Sequence, residues 1–221
     1  MSATTGLTSL YDGTIKLFSG LDGLAPLLFR LILAPVMVQA GYNKLVGFEN
    51  TVSWFGGSLG LPFPEVMVGL AIAAELVGGL FLLFGFLTRL VTIPLMVTML
   101  VAMIYVHGEN GWLAISDSSS WLANERVMEA AERKDAAKSL LKRHGNYGWL
   151  TERGPVTILN NGIEFAAIYF AMLLSLFFTG GGRFTSVDHY LTAGRRREAA
   201  RIAAASATLP PIEPPEPTPS S

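Results

Sequence analysis

The chain has 221 residues, of which 51% are hydrophobic and 15% are charged, and its formal net charge is -1 at pH 7. Soluble domains carry about 25% charged residues, so this composition argues against a soluble enzyme and indicates a membrane protein. The chain has no cysteine, which excludes disulfides, thiolate metal sites and thiol redox chemistry carried by the chain itself. The net charge argues neither for nor against an anionic partner, and we expect no nucleic-acid partner.

The first 23 residues precede the first long apolar stretch and contain hydrophobic side chains near helical spacing. Leu7, Leu10 and Leu17 recur with Thr, Asp and Lys between them. This pattern predicts an interfacial helix that lies on the membrane over residues 1–23. A loosely ordered tail is the alternative.

Four later stretches are long and apolar enough to cross a bilayer. A hydrocarbon core about 30 Å thick requires roughly 20 apolar helical residues, and this condition is met at about residues 24–46, 65–87, 90–106 and 156–178. The first stretch starts late and has no basic segment before it, so we interpret it as a permanent span and not as a cleaved signal. The turn at Thr88 and Arg89 is short, which makes the second and third spans antiparallel neighbours. The sequence therefore predicts an all-α membrane protein with a bundle of four transmembrane helices.

The connection at about residues 108–155 is the longest in the chain. Residues 124–144 are rich in Ala, Glu, Lys and Arg, and Gly145 follows where a helix-ending glycine is expected, so we predict a helical extramembrane loop. Aromatic residues around this helix either anchor the loop at headgroup level or pack a small cap; they are Trp112, Trp121, Tyr147 and Trp149. We place the membrane domain at about residues 24–191. Residues 192–221 form a tail that begins with a basic run, continues as a Pro-rich stretch and should be disordered.

The distribution of basic residues predicts the orientation. Four spans place both termini on one side of the membrane, and the Lys/Arg counts of the two sides are nearly even. Basic residues close to the spans influence the orientation of the protein most strongly. Arg89 lies in the shortest loop, and the arginine run 195–197 follows the fourth span closely. We therefore predict a multi-pass membrane protein with cytoplasmic termini and an external long loop.

Five polar side chains fall within the predicted spans, and they form the candidate binding site: Arg30, Gln39, Lys44, Glu75 and Glu164. Ionisable groups at this depth are costly unless they are paired. From a rise of about 1.5 Å per residue, we expect Arg30 and Glu75 to form a buried pair, and Gln39 and Glu164 to meet. The cluster either binds a quinone, a lipid headgroup or protons, or it holds the helices together.

Other candidate sites have weaker patterns. Met96, Met99 and Met103 lie on one face of the third span, which is compatible with a soft-metal path but also with packing or lipid contact. His107 lies at the outer end of that span, where it is either a site residue or an ordinary hydrogen-bonding residue. The histidines have no metal-like spacing, and no catalytic or phosphate-binding motif occurs. We predict no metal site, and the catalytic residues stay unknown.

Five segments, in this order, resemble the DoxX family of membrane proteins, and the resemblance covers about residues 24–191. The segments are Leu28-Phe29-Arg30, Gly41-Tyr42-Asn43-Lys44-Leu45, Glu75-Leu76-Val77-Gly78-Gly79-Leu80, Gly85-Phe86-Leu87-Thr88-Arg89 and Gly180-Gly181-Gly182-Arg183-Phe184-Thr185-Ser186-Val187-Asp188. The long loop is similar to that of a longer proteobacterial branch associated with gene clusters for copper-responsive modified peptides.

The resemblance implies a four-helix inner-membrane fold. Some members of the family resemble the membrane subunit of thiosulfate:quinone oxidoreductase, and others join oxidative-stress complexes. The matching motifs add Arg89, Arg183 and Asp188, beside His107, as further candidate site residues. Because this chain has no cysteine to handle sulfur chemistry, we carry over the architecture and not the activity.

Two functional hypotheses follow from these observations. The first is an accessory or membrane subunit of a redox or stress-response system that binds a quinone-like ligand in the polar cluster. The second is a non-enzymatic membrane anchor or assembly partner linked to copper-responsive peptide production or export. Both require the lipid bilayer and protein partners in the membrane or periplasm, and both are compatible with a homo-oligomer. A transporter is disfavoured because four spans are few for an inverted-repeat carrier.

Overall fold

The structure of the protein is a computed structural model in which residues 11–13 and 19–207 are described. Most of the predicted interfacial helix and the Pro-rich residues 208–221 therefore lie outside the described residues. Eight helices carry the fold in the part that is described, with short 3-10 turns at Ser19–Leu21 and Gly108–Asn110. They are α1 Leu24–Val46, α2 Phe48–Gly57, α3 Pro64–Phe84, α4 Thr88–Val101, α5 Glu125–His144, α6 Tyr147–Thr151, α7 Glu164–Thr179 and α8 Val187–Ala207.

The predicted all-α membrane fold is confirmed. Between residues 19 and 207 the structure contains no strand, and an isolated bridge joins Ile115 to Leu159. Three helices in the described residues are long and apolar enough to cross a membrane, at Ser19–Val46, Pro64–Phe84 and Thr88–Val106. A π-helical turn at Ala102–Val106 prolongs α4. Helix α7 is also apolar, but with 16 residues it is shorter than these three helices.

Helix α7 begins later than the sequence pattern predicted. The expected span at 156–178 becomes a helix of 16 residues that starts at Glu164, about 24 Å long. The preceding residues are not helical because their amides bond to another segment: Asn160 and Asn161 donate to the carbonyl of Ala114 at 3.0 and 2.8 Å, and Asn161 has a φ of 58°. This pairing keeps the start of the predicted span out of the helix.

The bundle has two distinct ends. The start of α4 lies beside the end of α7, because Arg89 donates to the carbonyl of Phe178 at 3.0 Å. At the opposite end, the His107 ring contacts the carbonyl of Asn161 at 2.9 Å. We call the first end, which also holds the start of α1 and of α8, the terminal end. We call the second, which holds the long connection, the loop end.

Helices α1 and α3 pack closely through glycines. A Cβ on Gly79 would lie 2.9 Å from Cγ2 of Val38, and one on Gly41 would lie 2.9 Å from the backbone nitrogen of Leu76. Small residues at such contacts let membrane helices approach backbone to backbone. The buried apolar core fills the space between α1, α3, α4 and α7, and it contains Leu33, Met37, Leu82, Leu95, Leu173 and Leu176.

The predicted helix of the long connection is confirmed as α5. Its N-cap residue Asn124 accepts a hydrogen bond from the amide of Val127 at 3.1 Å, and Gly145 caps its C-terminal end. Only Val127 and Ala130 of this helix are buried, so most of its surface faces away from the core. In the preceding turn, hydrogen bonds from the hydroxyl and amide of Ser119 lower the pKa of Asp117.

The basic run after the bundle lies on a helix. Helix α8 begins at Val187 and continues through Arg195 and Arg197 to Ala207. The boundary predicted at residue 192 therefore falls inside a helix. Of the predicted tail 192–221, residues 192–207 are helical, and the remaining residues lie outside the described part of the chain.

A glycine substitution tests the close contact between α1 and α3. We expect Gly79→Ala to destabilise the protein by about 1–3 kcal/mol, because the added methyl group must displace Val38. Gly69→Ala, in the same helix, is the matched control, since a Cβ there meets nothing within 4 Å. Thermal unfolding of both variants in the same detergent measures the difference. Equal melting temperatures would contradict the packing described here.

Candidate functional site

Arg30 is a buried charge at the terminal end. Its side chain reaches the last turn of α3, where Nε donates to the carbonyl of Leu82 at 2.7 Å and Nη2 donates to that of Leu83 at 3.0 Å. The last four carbonyls of a helix have no partner within the helix, so a guanidinium satisfies them well. Gly85, with φ of 65°, ends α3 at this point in the left-handed conformation. Arg30 therefore acts as a C-terminal cap supplied by another helix.

The same guanidinium also binds the turn before α8. Nη1 donates to the carbonyl of Gly181 at 2.5 Å, and both Nη1 and Nη2 donate to that of Thr185 at 3.1 Å. Only 2% of Arg30 is exposed. The planar fork of donors suits this arrangement, which a lysine could not reproduce. Arg30 thus joins α1, α3 and the segment between α7 and α8.

The predicted pair of Arg30 and Glu75 is wrong. The carbonyls that Arg30 binds on α3 lie at Leu82 and Leu83, about 10 Å further along the helix than Glu75. The side chain extends towards the terminal end, where the carbonyls of Leu82, Leu83, Gly181 and Thr185 accept its N–H groups. The position of a charge in the sequence gives its depth along the membrane normal, but it does not show which backbone acceptors from other segments lie at the same depth.

Glu75 pairs instead with Lys44. The Nζ atom of Lys44 lies 2.6 Å from Oε2 of Glu75, and the exposed fractions of the two side chains are 24% and 3%. Gly41 lies one turn before Lys44 on α1, and a Cβ there would be 3.0 Å from the Cβ of Glu75. The missing side chain therefore lets α3 approach α1, and Lys44 can fold over the carboxylate.

The other two predicted members of the polar cluster lie apart from this pair. Gln39 is exposed and donates to Oδ1 of Asn43 at 2.7 Å. Glu164 begins α7 and accepts a hydrogen bond from the amide of Ala114 at 2.9 Å. The predicted contact between Gln39 and Glu164 is therefore wrong. Because α7 starts at Glu164, this carboxylate lies at a helix end and not inside a span.

A polar network closes the loop end. Asn160 is buried, and its Nδ2 donates to the carbonyls of Asn110 and Leu113 at 2.8 and 2.7 Å. Its Oδ1 accepts from Nε of Arg126 at 3.2 Å, which connects α5 to the segment before α7. His107 has an ordinary hydrogen-bonding contact in this network. We did not predict the role of Asn160, although its place in an asparagine pair before Glu164 is a detectable signal.

Three of the candidate residues from the family-like motifs line one cavity of about 940 Å³ at the terminal end: Arg89, Arg183 and Asp188. Asp188 accepts hydrogen bonds from the amides of Leu87 and Thr88 at 2.7 and 2.8 Å. It thereby caps the start of α4, where the N-cap residue Leu87 supplies no side-chain bond of its own. These residues are separate from the Lys44–Glu75 pair.

The methionines of α4 have a packing role. Met99 belongs to the buried core, and Met96 packs against it. Within the described ranges, no three His, Asp or Glu side chains are placed to hold a metal ion. In the described part of the chain, polar side chains gather at the Lys44–Glu75 pair, in the network at the loop end and at the cavity of the terminal end.

Comparison with known proteins supports the resemblance seen in the sequence. The family model DoxX matches residues 25–108, which include α1 to α4. The chain is 38% identical over 80 residues to "Putative oxidoreductase CatD" of Bacillus subtilis (strain 168), covering 36% of this chain and 58% of that protein. It is 33% identical over 69 residues to "Inner membrane protein YqjF" of Escherichia coli (strain K12), covering 31% of this chain and 51% of that protein. The chain thus spans about half the length of these relatives, and no solved structure matches it significantly.

Replacement of Arg30 tests its structural role. We expect Arg30→Lys to lower the stability by about 3–5 kcal/mol, because a single ammonium group leaves buried carbonyls without a donor. Arg133→Lys is the control, since Arg133 forms an exposed pair with Glu129 and such pairs contribute under about 1 kcal/mol. Chemical unfolding in detergent compares the two variants. A similar small loss in both would contradict the assignment of Arg30 as a cap.

Proposed function

We propose that this membrane protein of the DoxX family is an accessory or membrane subunit of an inner-membrane redox system, and that it binds a quinone-like ligand at the Lys44–Glu75 pair. The name of the relative from Bacillus subtilis supports a redox role, and the name of the relative from Escherichia coli supports the inner membrane. The resemblance to family members that serve quinone-linked oxidoreductases points in the same direction.

The observation that carries the proposal is a buried carboxylate in the middle of a spanning helix. Glu75 lies about 16 Å from the start of α3, and α3 has 21 residues. Charged groups at such depth are costly, and well-packed apolar residues often replace a buried ion pair without loss of stability. Arg30 has a structural task that accounts for its charge. Among the described residues, the Lys44–Glu75 pair has no comparable set of backbone partners, so ligand binding is the simplest reason for its presence.

The chemistry of the pair suits a quinone headgroup. The carbonyl oxygens of a quinone accept hydrogen bonds, and a lysine ammonium has three donors, one of which Glu75 uses. Lys44 is partly exposed, and its neighbours Tyr42 and Leu45 are exposed on the same stretch of α1. A ligand in the lipid phase can therefore reach the ammonium. Glu75 lies behind it, where a carboxylate can orient Lys44 and exchange a proton with it.

In this proposal, the chain binds the quinone and exchanges protons through Lys44 and Glu75, and a partner supplies the electrons. The absence of cysteine removes the side chain that most often carries sulfur redox chemistry or an iron–sulfur cluster. We therefore assign electron transfer to a protein partner that docks on the membrane domain. Arg30, Gln39 and Glu164 take no part in the ligand site in this proposal, because their partners lie elsewhere.

A second candidate function is that of a non-enzymatic anchor or assembly partner, linked to copper-responsive peptide production or export. The long connection at the loop end supports it, because Trp121 and Trp149 in this connection are 91% and 70% exposed. Exposed tryptophans are frequent at protein contacts and at membrane interfaces. This function needs no ligand at Lys44 and Glu75, so the ligand experiment below separates the two candidates.

Removal of the ion pair tests the quinone proposal. We expect wild-type protein, gently purified in detergent, to retain a quinone and to bind a short-chain quinone in calorimetry. Lys44→Met should weaken binding by about tenfold or more, because the hydrogen-bond donor is lost. The double variant Lys44→Met/Glu75→Met should also fail to bind while keeping the fold, since an apolar pair avoids an unpaired buried charge.

The control is Lys138→Met/Asp135→Asn, which removes a charge pair on α5 with 3.9 Å between Nζ of Lys138 and Oδ1 of Asp135. It should bind quinone as the wild type does. Mass spectrometry of extracted small molecules identifies the retained ligand. A wild type that neither retains nor binds a quinone would reject the proposal and favour the anchor function.

The orientation can be tested because the chain has no cysteine of its own. We propose cytoplasmic termini and an external long loop, since basic residues near the spans prefer the cytoplasmic side. A membrane-impermeant maleimide should label Ser118→Cys in intact spheroplasts and Ala200→Cys only after permeabilisation. Both positions are exposed. The reverse pattern would show the opposite orientation.

A further inference from the structure

The cavity at the terminal end is not explained by the redox proposal. It lies between the start of α1, the start of α4, the glycine turn 180–182 and the first turns of α8. Its lining includes the charged or polar side chains of Asp22, Arg89, Arg183, His189 and Arg195. The glycine turn contributes backbone, and Leu87, Leu90 and Leu191 contribute apolar side chains. The Lys44–Glu75 pair does not line it.

The charged side of this cavity is predominantly cationic. Three arginines line it, Arg89, Arg183 and Arg195, against the carboxylates of Asp22 and Asp188. Asp188 already accepts two backbone amides at the start of α4. Asp22 lies 4.0 Å from Arg183 in an exposed pair, which is a weak contact in water. The lining therefore favours an anion.

The glycine turn gives the cavity a wall of backbone. Gly180 and Gly182 have φ of 77° and 95°, a region that other residues rarely adopt. A Cβ on Gly181 would lie 2.6 Å from Oγ1 of Thr88 and 2.7 Å from the Cβ of Ser186. No larger residue fits without displacement. Backbone amides and arginine side chains together are a frequent setting for phosphate.

The apolar side of the cavity favours a phospholipid over a free phosphate ion as the source of the anion. Leu87, Leu90 and Leu191 line the cavity and are exposed. Leu87 and Leu90 belong to the start of a spanning helix, where acyl chains meet headgroups. A free phosphate ion would gain nothing from these side chains, whereas the glycerol and acyl part of a phospholipid would cover them.

We propose that this cavity binds the phosphate headgroup of an anionic phospholipid. Arg89, Arg183 and Arg195 contact the headgroup, the glycine turn lies beneath it, and an acyl chain runs along Leu87 and Leu90. Basic pockets between membrane helices bind anionic lipid headgroups in this way. The proposal is independent of the quinone site, because it concerns the opposite part of α1 and other residues.

Native mass spectrometry of the full chain tests the site. Wild-type protein released from membranes that contain phosphatidylglycerol should retain this lipid. Arg89→Gln/Arg183→Gln should retain about tenfold less. The control Arg133→Gln/Arg143→Gln removes the same charge from α5, where both residues are exposed, and should retain as much as the wild type. Equal retention in all three proteins overturns the proposal.

Thermal shift measurements separate a lipid from a free phosphate. Short-chain phosphatidylglycerol should raise the melting temperature of the wild type, whereas short-chain phosphatidylcholine and inorganic phosphate should not. A rise of equal size with inorganic phosphate would overturn the lipid source. No rise with either anion would overturn the site itself. If the double variant does not fold, Arg195→Gln serves instead, since Arg195 lies exposed on α8 and should reduce the shift.

Discussion

The guanidinium of Arg30 holds the terminal end of the bundle together. It binds four backbone carbonyls, of Leu82, Leu83, Gly181 and Thr185, in one buried cluster. A charge at this depth is tolerated because every direction of its donor fork meets an acceptor. The cluster fixes the end of α3 against the turn that leads to α8. The cavity with Arg89 and Arg183 depends on the position of this turn.

Close packing of α1 and α3 determines the second charged site. Gly41 and Gly79 remove the side chains that would separate the two helices, and the short distance between backbones brings Lys44 onto Glu75. Such a contact is stronger in lipid than it would be in water, because no solvent competes for the charges. The same glycines that stabilise the helix pair therefore also create the polar group that we propose as a ligand site.

The two proposed sites lie on different parts of the chain and have different chemistry. The Lys44–Glu75 pair combines a buried carboxylate with a partly exposed ammonium, which we propose that a ligand reaches from the lipid phase. The cavity at the terminal end is wider, and its arginines lie where a headgroup would be. A lipid in this cavity would pack against the starts of α4 and α8, so the two sites have helix α1 in common but no side chain that binds a ligand.

The sequence by itself determined the membrane class, the helices α1, α3, α4 and α5, and the resemblance to the DoxX family, because apolar length and helix-ending residues are local properties. It also identified Lys44, Glu75, Arg89, Arg183 and Asp188 as notable. Only the tertiary structure decided their partners and the late start of α7. Arg30 binds backbone carbonyls and not Glu75, and the residues before Glu164 bond to the loop. Hydrogen bonds between distant segments compete with local preference, and one sequence does not reveal which acceptors lie nearby.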